Sequence, residues 1–145
     1  MLVDWVCLGL MVVLVADVFL GVWSRYVMHA TFQWYDEVAR LCFVWMVFLG
    51  AASAVRRGAH FRLHLLIDRL GPGLRRVNDL LVGLLVVVFA GVLVAGGIAM
   101  WPVARGQVSD SLELSMVWFY AALPVGGALM IFFSIPQLWR LVRGR

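Results

Sequence analysis

The chain has 145 residues, of which 64% are hydrophobic and only 14% charged, with a mean hydropathy of +0.98. A soluble domain is roughly half apolar and about one quarter charged, so the polar surface here is too small to coat a water-facing globule and an ordinary soluble enzyme is excluded. The net charge of +4 rests on twelve arginines, with no lysine; they stand between long apolar runs, which reads as membrane orientation and speaks against nucleic-acid binding.

Met1-Leu2-Val3-Asp4 lacks the basic region of a cleaved signal, and no small-residue cleavage pattern closes the apolar stretch behind it. That stretch is read as a retained first span. Crossing about 30 Å of hydrocarbon takes about 20 helical residues, and four stretches qualify: 5–23, interrupted by Asp17; 38–55, with Arg40 near its start; 80–104; and 114–139, which carries Pro124 and Pro136. Backbone groups in lipid must be satisfied internally, and the alternation of a barrel is absent, so these are helices. Asn78 or Asp79 is expected to cap the third span, and Asp110 with Glu113 to form a capping box opening the fourth. Cys7 and Cys42 lie inside apolar runs and form no C-x-x-C pair, so they read as small buried hydrophobes.

Between spans two and three stand Arg56, Arg57, Arg62, Arg69, Arg75 and Arg76, and the tail adds Arg140, Arg143 and Arg145. The opposite side holds only Arg25 and Arg105, beside Asp36, Glu37, Asp110 and Glu113. The positive-inside rule then places both termini and the middle segment in the cytoplasm. Aromatics including Trp5, Trp23, Trp34, Tyr35, Trp101 and Trp118 mark the interfaces. In the middle segment Leu63, Leu66, Ile67, Leu70 and Leu74 recur at helical spacing, with His60, His64 and Asp68 on another face. That fits a short amphipathic helix, although residues 61–65 also alternate, and Gly71-Pro72-Gly73 breaks the segment before span three. The expected fold class is all-α: one transmembrane domain over 1–145, four membrane helices, cytoplasmic termini and a short amphipathic cytoplasmic segment between helices two and three.

Trp34-Tyr35-Asp36-Glu37-Val38-Ala39-Arg40 is the most informative cluster. Asp36 and Arg40 are spaced i, i+4, and Glu37 and Arg40 i, i+3, so the three can meet on one helical face. Two readings stand side by side: an interfacial anchor that sets span depth, and a docking contact for another subunit. A proton relay is weaker, because no further acid lies deeper in span two. Asp17 is the only acid well inside a span; it reads as a structural polar contact, with Arg25 or Arg40 as candidate partners, against a subunit interface or ion coupling. Trp45 lies near mid-membrane and needs a partner for its indole N–H, within the fold or on a partner helix.

Small residues permit close helix approach; Gly50 to Ala54 in span two and Gly91, Ala95, Gly96 and Ala99 in span three are such positions. His29, His60 and His64 fall outside the spans, which argues against haem. His60 and His64 at i, i+4 lack a third metal ligand and an H-E-x-x-H motif, so neither a metal nor another cofactor is expected. No nucleophile triad or phosphate loop supports an enzyme. A stand-alone carrier would show internal repeats and midplane polar groups.

The ordered series Trp34-x-Asp36-Glu37-x-x-Arg40, then Trp45, then Phe48-Leu49-Gly50-Ala51, then Arg56-Arg57-Gly58-x-His60, resembles the small membrane subunit of tripartite ATP-independent periplasmic (TRAP) transporters, the DctQ family. The likeness covers nearly the whole chain. It implies a bacterial inner-membrane subunit without catalytic residues of its own. A large DctM-family subunit would hold the substrate and sodium sites and move in an elevator-like manner. A periplasmic DctP-like binding protein would capture a carboxylate-bearing solute, of which dicarboxylates, sialic acids and other sugar acids all remain open. The motif residues Trp34, Asp36, Glu37, Arg40, Trp45, Gly50, Arg57 and His60 are then expected at the subunit interface or in its structural support, alongside membrane lipid. Two alternatives remain. A small four-helix efflux carrier would use a membrane-embedded glutamate in its first span, where this chain has Asp17. A redox-enzyme anchor would bind haem or quinone.

Overall fold

A computed structural model of the chain describes residues 2–30, 32, 34–58, 72–109 and 111–143. They form helices α1 (Leu2–Tyr26), α2 (Trp34–Arg56), α3 (Pro72–Ala99), α4 (Trp101–Arg105), α5 (Val117–Tyr120) and α6 (Ala122–Arg143). Four helical stretches are long and apolar enough to cross a membrane: α1, α2, Val77–Ala99 of α3, and Val117–Trp139 across α5 and α6. The all-helical, four-span architecture read from the sequence is the one observed. The expected amphipathic segment, including His60 and His64, lies outside the described residues, as does Asp110.

Helix ends follow local chemistry. Gly58 closes α2 in the left-handed region, at φ +67°, and its N–H donates to the Val55 carbonyl at 2.9 Å. A glycine takes that conformation without a Cβ penalty. The third span departs from expectation at both ends. Its helix opens on Pro72, a residue suited to the first helical position because its missing N–H has no intrahelical partner there. Asn78 and Asp79 therefore lie inside the helix and do not cap it, and Leu74 belongs to α3. At the far end the helix stops at Ala99, and Trp101–Arg105 forms a separate short turn with Pro102 near its start, where proline is tolerated. The fourth span begins at Val117, not 114. Glu113, at φ +51°, precedes the helix by several residues and cannot serve as the third residue of a capping box. The Val117 N–H is instead taken by the Ser115 hydroxyl at 3.3 Å.

The helices stand in a row. α1 packs on α2, α2 on α6, and α6 on α3. The core lies along the inner seams, where Ala52, Val55, Ala90 and Met130 are buried and Val86, Leu93, Leu129 and Phe133 pack around them. Close approach is set by glycines other than those singled out in the sequence. A Cβ on Gly126 would stand 2.6 Å from the Phe48 Cβ of α2, and one on Gly127 2.8 Å from the Ala90 carbonyl oxygen of α3. One on Gly97 would meet the Pro124 ring at 2.4 Å. Gly50, Gly91 and Gly96 have open space where a Cβ would be, and Ala95, Gly96 and Ala99 are exposed, so these positions do not pack within the chain. α1 shows apolar side chains on most of its surface and buries only Asp17 and Ser24, a pattern that suits lipid and not water.

Candidate functional site

The polar side chains gather at the two ends of the row. At one end, residues 107–109 and 111–116 come together in a tight loop. Its edges pair through Val108 and Ser115, with Ser109 N–H donating to Leu114 O at 2.8 Å and Met116 N–H to Gln107 O at 3.0 Å. The turn inside leaves two N–H groups pointing inward, and the Glu37 carboxylate accepts both: Ser111 N–H on Oε1 and Leu112 N–H on Oε2, each at 3.0 Å. Such charge-assisted bonds satisfy donors that would otherwise be orphaned. The expected meeting of Asp36, Glu37 and Arg40 is therefore not formed. Glu37 is committed to the loop, and among the described residues neither Asp36 nor Arg40 makes an ion pair; both are exposed. Trp34 stacks on Tyr35 with ring centroids 3.8 Å apart. The Arg105 guanidinium lies 5.6 Å from the centre of the Trp101 ring, a cation–π distance.

Deeper in α2, the Trp45 indole donates to the Trp118 carbonyl at 3.0 Å. The partner its N–H required is inside the fold. Asp17 is only 6% exposed and lines a crevice of about 260 Å³ between α1 and α2, shared with Arg25, Tyr35 and Asp36. Its Oδ2 is buried without a hydrogen bond. Of the two expected partners, Arg25 shares the crevice without bonding to Asp17, and Arg40 is not among the residues that line it.

The opposite end holds a cluster that sequence reasoning missed. Asp4, in the first turn of α1, accepts hydrogen bonds from Ser53 and Arg56 and from the Arg57 Nη2 at 2.7 Å. This contact, together with the charge on Asp4, holds the Arg57 guanidinium above its usual pKa. From α6, the Gln137 amide donates to the carbonyls of Val55 at 2.6 Å and Arg56 at 3.2 Å, which caps carbonyls left over at the end of α2. Matching depths of antiparallel spans is the signal that could have found both ties: the acid near the start of span one and the amide near the end of span four face the end of span two.

The motif residues thus do not converge on one site. Trp34, Asp36, Glu37 and Arg40 stand towards one end of α2 and Arg57 at the other, roughly 25–35 Å away at 1.5 Å per residue. Trp45 lies between them, Gly50 has no neighbour at its Cβ position, and His60 is outside the described residues.

Comparison with known proteins agrees with the architecture. The family described as "Tripartite ATP-independent periplasmic transporters, DctQ component" matches residues 10–144. The sialic acid TRAP transporter small permease protein SiaQ of Vibrio cholerae is 27% identical over 136 residues, covering 92% of this chain and 78% of that one. The C4-dicarboxylate TRAP transporter small permease protein DctQ of Rhodobacter capsulatus is 36% identical over 101 residues, 68% of this chain and 44% of that one. The sialic acid TRAP transporter permease protein SiaT of Haemophilus influenzae is 33% identical over 109 residues, 75% of this chain but 18% of that longer polypeptide. These relatives are transporter subunits and not enzymes. With four helices apolar and long enough to cross a membrane and a family match over residues 10–144, the chain belongs to the DctQ family, the small permease subunits of TRAP transporters.

Proposed function

We propose that this chain, acting as one transmembrane domain, is the fixed support of a sodium-coupled TRAP system in the bacterial inner membrane, with both termini and the arginine-rich middle segment in the cytoplasm. In this reading it holds a large DctM-like permease subunit, and its non-cytoplasmic rim meets a DctP-like binding protein that delivers a carboxylate-bearing solute. The carrying observation is the distribution of polar contacts. The ties that fix the fold sit mostly towards the helix ends, and the membrane-crossing stretches of α3, α5 and α6 carry a single charge, Asp79, at the start of the α3 stretch. A chain with so little polar lining offers no path for an anionic solute. The SiaT match supports a large companion, because there the matching segment is less than a fifth of a longer permease. Sialic acid and C4-dicarboxylates, named for the relatives, are the first solutes to test.

Because Glu37 is committed to the loop, Asp36 and Arg40 are the free charges for a partner, and the face from Trp34 towards His60 is the surface proposed to hold the large subunit. Vesicles containing this chain, the neighbouring large permease and a binding protein should accumulate solute on a sodium gradient, and vesicles with this chain alone should not. Asp36→Arg with Arg40→Glu should weaken co-purification of the large subunit. Uptake by the chain alone, or full assembly and uptake with the double variant, contradicts the assignment.

A further inference from the structure

The crevice between α1 and α2 holds Asp17 and Arg25, which the scaffold role does not use. Its floor is Asp17, almost fully buried, with a carboxylate oxygen that accepts no hydrogen bond. Its walls carry a second carboxylate, Asp36, one cation, Arg25, and the apolar Val18 and Val22. A buried carboxylate oxygen without a donor is costly, so the site calls for a guest that brings N–H or O–H groups. Two acids and one arginine leave a net deficit of one positive charge at the floor, with a cation nearer the mouth. Asp17 and Arg25 are eight residues apart, about 12 Å along the helix axis. The arginine arm leans back towards the helix N-terminus, which narrows but does not close that gap; no direct bond between them is formed. The volume of about 260 Å³ far exceeds the ~30 Å³ share of one water. Tyr35 and Phe32, edge to face at 6.3 Å, both line the crevice and offer ring faces to a cation.

We propose that this crevice takes the headgroup of a zwitterionic phospholipid bearing a primary ammonium, phosphatidylethanolamine, with the ammonium on Asp17 and Asp36 and the phosphate on Arg25. The acyl chains would run along the exposed apolar surface of α1. The unpaired acceptor sets the selectivity: a primary ammonium brings three N–H donors, whereas a choline headgroup brings none and a glycerol headgroup lacks the positive charge. Rotation about the broad terminal torsion of Asp17 presents either oxygen to the guest.

The test uses the full chain co-purified with its large permease partner in nanodiscs of equal parts phosphatidylethanolamine, phosphatidylcholine and phosphatidylglycerol, with retained lipid counted by native mass spectrometry. One phosphatidylethanolamine should be retained roughly tenfold over either competitor, as expected for a charge-assisted hydrogen bond. Asp17→Asn and Arg25→Gln should each lower that preference several-fold. Gly21→Val should do the same by filling the crevice: its Cβ would already stand 3.5 Å from Tyr35, and the change touches neither charge. Helix content and co-purification of the partner report that each variant is folded. Equal retention of the three lipids, or unchanged preference in all three variants, overturns the proposal. Displacement of the lipid by equimolar glycerophosphoethanolamine would assign the site to a soluble zwitterion, and a thermal shift with sodium chloride alone equal to that with lipid would assign it to a bare cation; either result overturns the lipid assignment.

Discussion

Replacing Gly126 by alanine tests the packing of the row at its centre. The new Cβ would stand 2.6 Å from the Phe48 Cβ and 3.3 Å from its Cγ, whereas carbon atoms rest at about 3.5–4.0 Å. The clash is with the root of the side chain and not its tip, so rotating the ring does not relieve it. The α2–α6 seam must open by about 1 Å, and overpacking of this kind costs about 1–3 kcal/mol. Alanine also favours a helix over glycine by about 0.5–1 kcal/mol, which masks part of the loss. Gly96→Ala supplies the control: Gly96 is helical, nothing lies within 4 Å of its Cβ position, and the propensity gain is common to both variants. Their difference isolates the packing cost, about 1–3 kcal/mol or a roughly 5- to 150-fold change in the folded-to-unfolded ratio. Reversible unfolding of the purified chain in mixed micelles, followed by circular dichroism, reads it directly. Equal stability of the two variants would refute the assignment of Gly126 as the contact that sets helix separation.

Three further outcomes follow from the polar ties. Trp45→Phe removes the donor to the Trp118 carbonyl and should cost about 0.6 kcal/mol, with an upper bound near 1.7, in the same unfolding assay; an unchanged midpoint means the bond contributes nothing. Glu37→Gln leaves one acceptor oxygen where the loop needs two, so amide hydrogen exchange at Ser111 and Leu112 should accelerate several-fold, while unaltered protection would show that the loop holds itself. Asp4→Asn keeps the shape of the side chain and removes its charge; exchange in the first turn of α1 should rise, with the Tyr26 end unaffected, and equal change at both ends would indicate general loosening instead of a released tie.

The spans were legible because lipid demands unbroken apolar helices, and no local detail competes with that requirement. Their ends were less so. Asn78 and Asp79 carry a strong capping preference, but Pro72 starts the helix earlier, and a side chain that would cap at a boundary merely decorates the interior. Glu37 and Arg40 are neighbours by helical spacing, yet the carboxylate turns to two backbone donors more than seventy positions away. Backbone N–H groups have no letter in the sequence, so their claim on Glu37 was invisible. The same holds for Asp4 and Gln137, whose partners lie across the fold. Among the glycines, Gly50 and Gly96 look no different from Gly126 and Gly127 in the sequence. Which of them faces a neighbour depends on helix rotation, and that is fixed only when the row assembles.

Helix α2 is fastened to the last third of the chain at three depths: Glu37 to the loop at one face, Trp45 to Trp118 and Phe48 against Gly126 near the middle, and Gln137 to the end of α2 at the other face. A palisade one helix thick would otherwise fold along its midline like a book. Riveted at top, middle and bottom, the joint at the centre of the row resists that hinge.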